Sequence, residues 1–329
     1  MARKHHQVDF FNLGPATTAA GRALLVLLLL LSPRLSSSCI CTVPSDPLGA
    51  ANSIDEAAVA AAAEVTVALG RDTEGGFGNF RFCASFCVPP HVAFFPAAYA
   101  PSAARASPAA SDPFYFALGL ECGDVALQAL TAAAEGGAEK RLPLSVVTSA
   151  LLEAFTAALV PLEGHAKAAA LRPGAGPARA VAYGGIDASL NPGLAEACSV
   201  GSAFEVALGG KPFGSSGTLA VAAAVTAALK ALPVKLTGYS GLMLPPLEDA
   251  ALARTPGRAY GVTDLLSYSA VCGVGLDTVP LPGATEACDL EALLLDVASL
   301  ACKWNKPVRL LGACCFKARV WVLALSSFE

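Results

Sequence analysis

The chain is predicted to adopt an α/β fold built on a largely parallel sheet or barrel, because strand and helix signals alternate along it in one series. No linker is long enough to divide that series. In "NFRFCASFCV" the alternation is strict, with Phe80, Phe82, Ala84, Phe86 and Val88 on one face and Asn79, Arg81, Cys83, Ser85 and Cys87 on the other. A strand with an inward polar face suits a barrel whose centre is a site.

The elements follow in order. "SPRLSSSCICTV" reads as a helix stop and then a short strand. "SIDEAAVAAAAEVTVALG" begins with a capping box, Ser53 with Glu56 three residues on, and stops at Gly70. The 79–88 strand ends at Pro89 and Pro90, and "FYFALGLE" repeats the pattern with Glu121 at its end. Asp124 can cap a helix that Gly136 and Gly137 terminate, and a helix over 145–170 should bend at Pro161. "ARAVAY" is a strand broken at Gly184 and Gly185, and helix is expected again over 194–208. "GGKPFGSSGT" leads into a helix that is apolar on nearly all sides and therefore buried. "VKLT" is a short strand, a helix starting at Thr263 and Asp264 ends near Cys272, "LDTVPL" and "VRLL" are strands, and 286–303 is the helix between them.

Of the 329 residues 54% are hydrophobic, yet much of that is alanine, and no run reaches the roughly 18 to 20 uninterrupted apolar residues a membrane span needs. This describes a soluble, alanine-rich domain. The net charge of -4 and the absence of a basic block exclude a nucleic-acid binder by charge. Eleven cysteines lack the spacing of a disulfide framework, which points to a reducing compartment. Zinc spacing is poor: Cys39 and Cys41 are one residue apart, and Cys83, Cys87 and His91 have no second half, so no metal site is expected. The run "ALLVLLLLL" at 23–31 reads equally as the apolar part of a leader or as a folded helix.

Six blocks together resemble the domain of unknown function 711 family, grouped by fold with the pyruvate formate-lyase-like proteins. They are "GGFGNFRFCASFCVPPHVAFFPAAY" (75–99), "GGIDASLNP" (184–192), "FGSSGT" (213–218), "TGYSGLMLPPLED" (237–249), "SAVCGVGLDTVPLPG" (269–283) and "KWNKPVRLL" (303–311). The resemblance implies a pyruvate formate-lyase-like α/β barrel with no established activity. It implies one domain over 1–311, best matched over 75–311 and loosely over 1–74, and a divergent tail over 312–329. The opening strand and helix of the family are missing and "GACCFKARVWVLALSSFE" departs from its continuation, so the barrel is expected to be incomplete at both ends. Where the apolar run stands, the family carries helix and strand, which favours a folded helix; the expected location is cytoplasmic, or organellar or secreted if residues 1–38 act as a leader.

Hydrolytic triads fit badly. "GYSGL" and "GSSGT" have Leu242 and Thr218 where a nucleophile elbow needs its second glycine, and none of His5, His6, His91 and His165 stands at a position of the family pattern. Glycyl-radical chemistry lacks its loop, since "RTPGRAY" around Gly257 has the wrong neighbours and lies too early, while the Cys314 and Cys315 pair sits in the departing tail. No cofactor is named by the sequence. In "GGKPFGSSGT" the hydroxyls of Ser215, Ser216 and Thr218 and the following helix N-terminus could hold a phosphate or carboxylate, or could simply cap that helix.

The candidate catalytic residues are Cys272, Asp277, Glu121 and Asp187; the candidate binding residues are Asn79, Arg81, Ser215, Ser216, Thr218, Tyr239, Ser240 and Glu248. Most are polar residues at strand ends or turns, where α/β proteins hold ligands, and Arg81 is the natural carboxylate clamp. Cys272, at the carbonyl end of a helix, is disfavoured as a thiolate. The expected partner is a small anionic metabolite, handled by a non-radical enzyme or by a non-catalytic binding or regulatory protein; assembly with identical chains stays open, and neither nucleic acid nor membrane is expected.

Overall fold

A computed structural model describes residues 11–16, 35–44, 52–87, 114–135, 140–170, 181–254, 259–272, 274–305, 308–311 and 314–316. The apolar run at 23–31, Pro89, Pro90, His91, Gly136, Gly137, Gly257 and the tail after 316 lie outside them.

Strands β1 (Phe11–Ala16) and β2 (Leu35–Ile40) are followed by an antiparallel pair, β3 (Thr42–Pro44) and β4 (Asn52–Ile54). Helix α1 (Glu56–Asp72) starts at Asp55, whose carboxylate accepts the Ala58 N–H at 2.9 Å. Ser53, the expected cap, lies in β4 opposite Val43, where its extended backbone serves the strand pair. Next comes a kinked 3-10 segment, Glu74–Arg81, in which Gly75 and Gly76 leave helical backbone at φ 58° and 75° and Thr73 Oγ1 accepts the Gly78 N–H at 2.8 Å. Asn79 and Arg81 therefore belong to this helix and not to the expected strand, which begins only at Phe82 as β5 (Phe82–Phe86). The left-handed pair Gly75 and Gly76 kinks the chain just before the stretch whose alternation predicted extension, and 3-10 backbone continues through Arg81.

Strand β6 (Phe114–Glu121) leads into α2 (Gly123–Ala134), which starts ahead of Asp124; that carboxylate lies in the first turn and favours the positive end of the helix dipole without capping it. After α3 (Leu144–Ala170), which contains Pro161, strand β7 (Val181–Asn191) pairs parallel with β6 and does not break at its glycine pair. Phe116 faces Tyr183 and Ala117 faces Gly185, so Gly184 is the extra residue of a bulge. Gly185 has φ 134°, and a Cβ there would stand 2.7 Å from the Lys235 carbonyl oxygen. Helix is expected over 194–208, but a 3-10 turn at Glu196–Cys198 precedes α4 (Val200–Ala207), because Ser199 caps α4 through the Ser202 N–H at 2.9 Å.

Helices α5 (Thr218–Lys230), α6 (Ala250–Arg254) and α7 (Val262–Cys272) precede β8 (Gly275–Asp277) and β9 (Pro280–Pro282), and α8 (Ala287–Trp304) precedes β10 (Val308–Leu311) and β11 (Cys314–Phe316). The expected strand "LDTVPL" is split into β8 and β9 because Thr278 takes φ 37°. "VKLT" joins no regular strand; residues 235–243 run beside β7 through the Thr237 N–H to Ile186 carbonyl bond at 3.0 Å and the Met243 N–H to Leu190 carbonyl bond at 3.0 Å.

The main sheet has the order β1-β2-β5-β10-β8, parallel except where β10 meets β5. Its faces differ in kind. Phe82, Ala84, Phe86 and Leu276 belong to the core that includes Val59, Leu69, Leu290 and Leu294 of α1 and α8. On the opposite face Cys83 pairs with Leu311 and Leu311 with Asp277, which sets Cys83 and Asp277 in one row about 10 Å apart across β10. Ser85 shares that face, and Cys83, Ser85 and Asp277 are all buried. The polar face read from alternation thus exists over Cys83 and Ser85.

Helix α3 packs on α2, α5 and β7 through Val147, Leu151, Phe155, Leu159, Glu163 and Ala166, a stripe at helical spacing. By length and composition it is the one helix among the described residues long and apolar enough to cross a membrane. Glu163 accepts the Lys235 N–H at 2.7 Å and the Tyr183 hydroxyl at 3.5 Å and pairs with Lys167 at 2.9 Å, so it ties α3 to β7 and to the segment beside it. Burial on its own would raise the Glu163 pKa; hydrogen bonds from Lys167 and the Lys235 N–H, with the Lys167 charge, outweigh it and hold the carboxyl below its ordinary 4.5. A depressed folded-state pKa adds stability that is present above the ordinary carboxyl range and lost as pH falls through the lowered value. Glu163→Gln is accordingly expected to destabilise the protein near neutral pH and to flatten the acid limb of its stability curve, which urea unfolding from neutral pH to about pH 3 measures.

Candidate functional site

Asp187 lies in the middle of β7, fully buried, beside the loop that follows α5. Its Oδ1 accepts the Ser240 N–H at 2.8 Å, the Ser189 hydroxyl at 2.7 Å and the Ser189 N–H at 3.2 Å; its Oδ2 accepts the Tyr239 N–H at 2.9 Å. Ser189 Oγ in turn accepts the Gly241 N–H at 3.1 Å, and Ser240 Oγ accepts the Ala188 N–H at 3.2 Å. Gly238, at φ 59°, leaves room for the carboxylate, since a Cβ there would stand 2.1 Å from Asp187 Oδ2. Lys230 bends its ammonium onto the Tyr239 carbonyl at 2.9 Å; partial burial lowers its pKa, against the opposing pull of Asp187. Three sequence candidates, Asp187, Tyr239 and Ser240, therefore meet in one knot, and most of the lone-pair capacity of Asp187 serves the loop.

The knot reaches a fourth candidate. A Cβ on Gly241 would stand 2.4 Å from the Cys272 carbonyl oxygen, and Tyr239, Met243 and Val274 form a small apolar cluster of their own. Cys272 is buried as the last residue of α7, the position expected for it. Five residues on stands Asp277, 2% exposed, at the end of β8. Thr278 follows at φ 37°, a left-handed backbone that a β-branched residue adopts only under strain of about 1–3 kcal/mol. It is fully buried, and its hydroxyl has no hydrogen-bond partner among the described residues.

The row register sets the start of β5 at the same end of the sheet as the close of β8. The 3-10 helix feeding β5 carries buried Asn79 and half-buried Arg81, whose pKa is lowered by burial. Asn79 and Arg81 thus enter the sheet at the end where β8 closes on Asp277 and Thr278, an end at which β1, β2 and β5 begin and β8 and β10 finish. Cys83 Sγ lies 3.7 Å from Ser85 Oγ.

The other candidates stand apart. Glu121 is exposed at the end of β6, opposite Asn191. Beside it Cys122, which sequence reasoning left out, is a buried thiol whose pKa is pushed up to about 12 by desolvation and by nearby carboxylates. In the 211–217 loop Thr218 Oγ1 donates to the Ser215 carbonyl at 2.7 Å and accepts the Gly214 N–H at 3.1 Å, Ser216 is exposed, and Phe213 is buried against Phe204, Tyr260 and Tyr268. Glu205 Oε1 accepts the Phe213 N–H at 3.4 Å, which brings an acid to this loop. Glu248 is half-buried in the turn before Asp249. Asp249 is a second structural knot: it accepts Ser199 Oγ at 2.7 Å and the N–H groups of Val200, Gly201, Ala251 and Leu252 between 2.6 and 3.1 Å, joining the starts of α4 and α6.

Ser189, Lys230, Gly238 and Thr278 were absent from the sequence candidates. Ser189 was within reach, since its place two residues after Asp187 on a strand puts both on one face. No local signal gives the φ of Thr278. Among the described residues no group of three His, Cys, Asp or Glu could hold a metal ion.

Together these features define an α/β protein with a two-faced sheet and a strained polar turn at one of its ends. The chain belongs to the family described as Uncharacterised ACR (DUF711), whose model matches residues 9–313. It is similar to the UPF0210 protein of Desulforudis audaxviator, 38% identical over 121 residues, which is 35% of this chain and 26% of the relative. It is likewise similar to a UPF0210 protein of Methanopyrus kandleri, 32% identical over 139 residues, covering 40% of this chain and 31% of that one, and to one of Oenococcus oeni, 32% identical over 129 residues, covering 38% and 29%. The matched stretch spans between about a quarter and a third of these relatives' length.

Two stability measurements separate knot from turn. Asp187→Asn turns an amide N–H onto the Tyr239 or Ser240 N–H and is expected to cost about 2–4 kcal/mol in urea unfolding. Thr278→Gly removes the backbone strain and should cost less than about 1 kcal/mol, although glycine at an unstrained buried position would cost more.

Proposed function

We propose that this chain binds a small carboxylate- or phosphate-bearing metabolite at the polar end of its main sheet. The observation that carries the reading is Thr278, a buried β-branched residue held at φ 37° beside buried Asp277. Strain of this kind persists where a fold orients a side chain for function. In this reading Arg81 clamps the anionic group, Asn79 and Thr278 donate or accept hydrogen bonds at its flank, and Asp277 takes a hydroxyl or amine of the same ligand. The ligand class is therefore a small acid bearing a second polar group. The main sheet and the β6–β7 pair are read as parts of one α/β barrel whose interior holds this ligand.

Binding is the primary claim. The nearness of Asp277 to a strained turn favours acid–base chemistry on the ligand as a second reading, with Asp277 as the proton acceptor. Residues 211–218 are read as a lesser anion site, because the Thr218 hydroxyl is engaged within the loop and Glu205 borders it.

A thermal-shift screen of small carboxylates and phosphates tests the claim; a ligand at 100 times its Kd adds about 2.7 kcal/mol. Arg81→Ala and Asp277→Asn are expected to abolish the shift. Thr278→Gly should keep the unliganded Tm and lose most of the shift. The proposal fails if no small anion raises Tm, or if Arg81→Ala leaves the shift intact.

A further inference from the structure

The register of the main sheet sets a second arginine on its polar face. Arg309 of β10 stands two residues before Leu311, which pairs with Cys83 on one side and with Asp277 on the other. It therefore takes the next row of the same face, between Ser85 of β5 and Gly275 of β8. Sheet spacing places Arg309 and Asp277 on a diagonal of about 8 Å between adjacent strands, a separation that long side chains bridge. Its neighbours in the row are small. Ser85 is fully buried, and Gly275, at φ 99°, is buried and has no side chain. Toward β2 the two rows continue through Ser38 and Ile40, which are uncharged, so the charged positions across β2, β5, β10 and β8 are Arg309 and Asp277.

We propose that Arg309 is the cation that makes this site select an anion, and that its ligand is a small hydroxycarboxylate of one negative charge. The ligand occupies the site proposed above, on which the assignment of Arg309 rests. With Arg81 and the Asp277 carboxylate alone the charges cancel, and a site of zero net charge has no electrostatic preference for an acid over a neutral molecule. Arginine keeps its proton in proteins, so Arg309 leaves the empty site with one net positive charge. On an enclosed face, where uncompensated charge is costly, the favoured ligand is the one that restores neutrality. A single carboxylate does so. An amino acid, as a zwitterion, leaves the positive charge uncompensated, whereas a dicarboxylate or a phosphate monoester brings more negative charge than the site can balance. The group that meets Asp277 is then a hydroxyl and not an amine. The planar fork of a guanidinium carries enough donors to serve Asp277 and the ligand's carboxylate together.

Calorimetric titration of the full chain with lactate, alanine, malate and glycerol phosphate tests the assignment. The wild type is expected to bind lactate about tenfold or more tighter than the other three. Arg309→Gln should weaken lactate about tenfold or more and remove its advantage over alanine, a change of charge preference that a purely structural arginine would not produce. Circular dichroism checks that each variant is folded. If Arg309→Gln does not fold, Arg309→Lys decides, because it keeps the charge, loses the fork and should weaken lactate several-fold. Unchanged lactate affinity in the deciding variant overturns the role of Arg309, and the proposed site still stands if Arg81→Ala abolishes binding. A wild type that prefers alanine, malate or glycerol phosphate to lactate, or that is stabilised only by some other small anion, likewise overturns the assignment and not the site. If no small anion binds at all, both fail.

Discussion

The organisation of the site depends on one buried carboxylate. A charge taken fully out of water is tolerated when hydrogen bonds replace its hydration, and Asp187 obtains them from its own strand and from a loop fifty-two residues further on. That arrangement makes the loop's shape obligatory. Gly238 must be glycine to clear the carboxylate, Ser240 is held at φ 43° so that its N–H points inward, and Gly241 must be small to lie on the Cys272 backbone. Through these contacts the β6–β7 pair locates the turn that feeds β8. A buried acid that looked like a reagent is thus the fastening that sets the reactive-looking turn in place.

What that turn faces follows from the main sheet having two unlike sides. The side carrying Phe82, Ala84, Phe86 and Leu276 is filled by α1 and α8, and burial of apolar surface holds it there. The other side is also closed to solvent, yet carries Cys83, Ser85 and Asp277. Enclosed polar rows are costly unless their groups find partners. Membership of an uncharacterised family adds no chemistry to this reading, because function resides in the site and not in the fold.

Much of the fold was legible where the signal is local. The buried stripe of α3, the alternation of Phe82 to Phe86 and the glycine-bounded helices all follow from periodicity over a few residues. The errors share a cause. Ser53 and Glu56 form a sound capping box on paper, but pairing of β4 with β3 keeps Ser53 extended and gives the cap to Asp55. Gly184 and Gly185 read as a break, but β6 continues alongside and absorbs the extra residue as a bulge. Asn79 and Arg81 alternate correctly with their neighbours yet lie in the 3-10 segment that follows the kink at Gly75 and Gly76, and extension begins only at Phe82.

By itself the sequence determined the alternation of strand and helix, the apolar positions that must be buried, and the set of polar residues concentrated at strand ends and turns. Those properties are encoded within a turn of helix or a few residues of strand. Only the tertiary structure decided which of these polar residues meet: that Asp187 closes on Tyr239 and Ser240, that Cys83 and Asp277 share a row across β10, and that Thr278 is forced into a left-handed backbone. Each of these depends on hydrogen bonds or strand register between segments far apart in the chain, and local patterns carry no information about which distant partner a buried polar group will find.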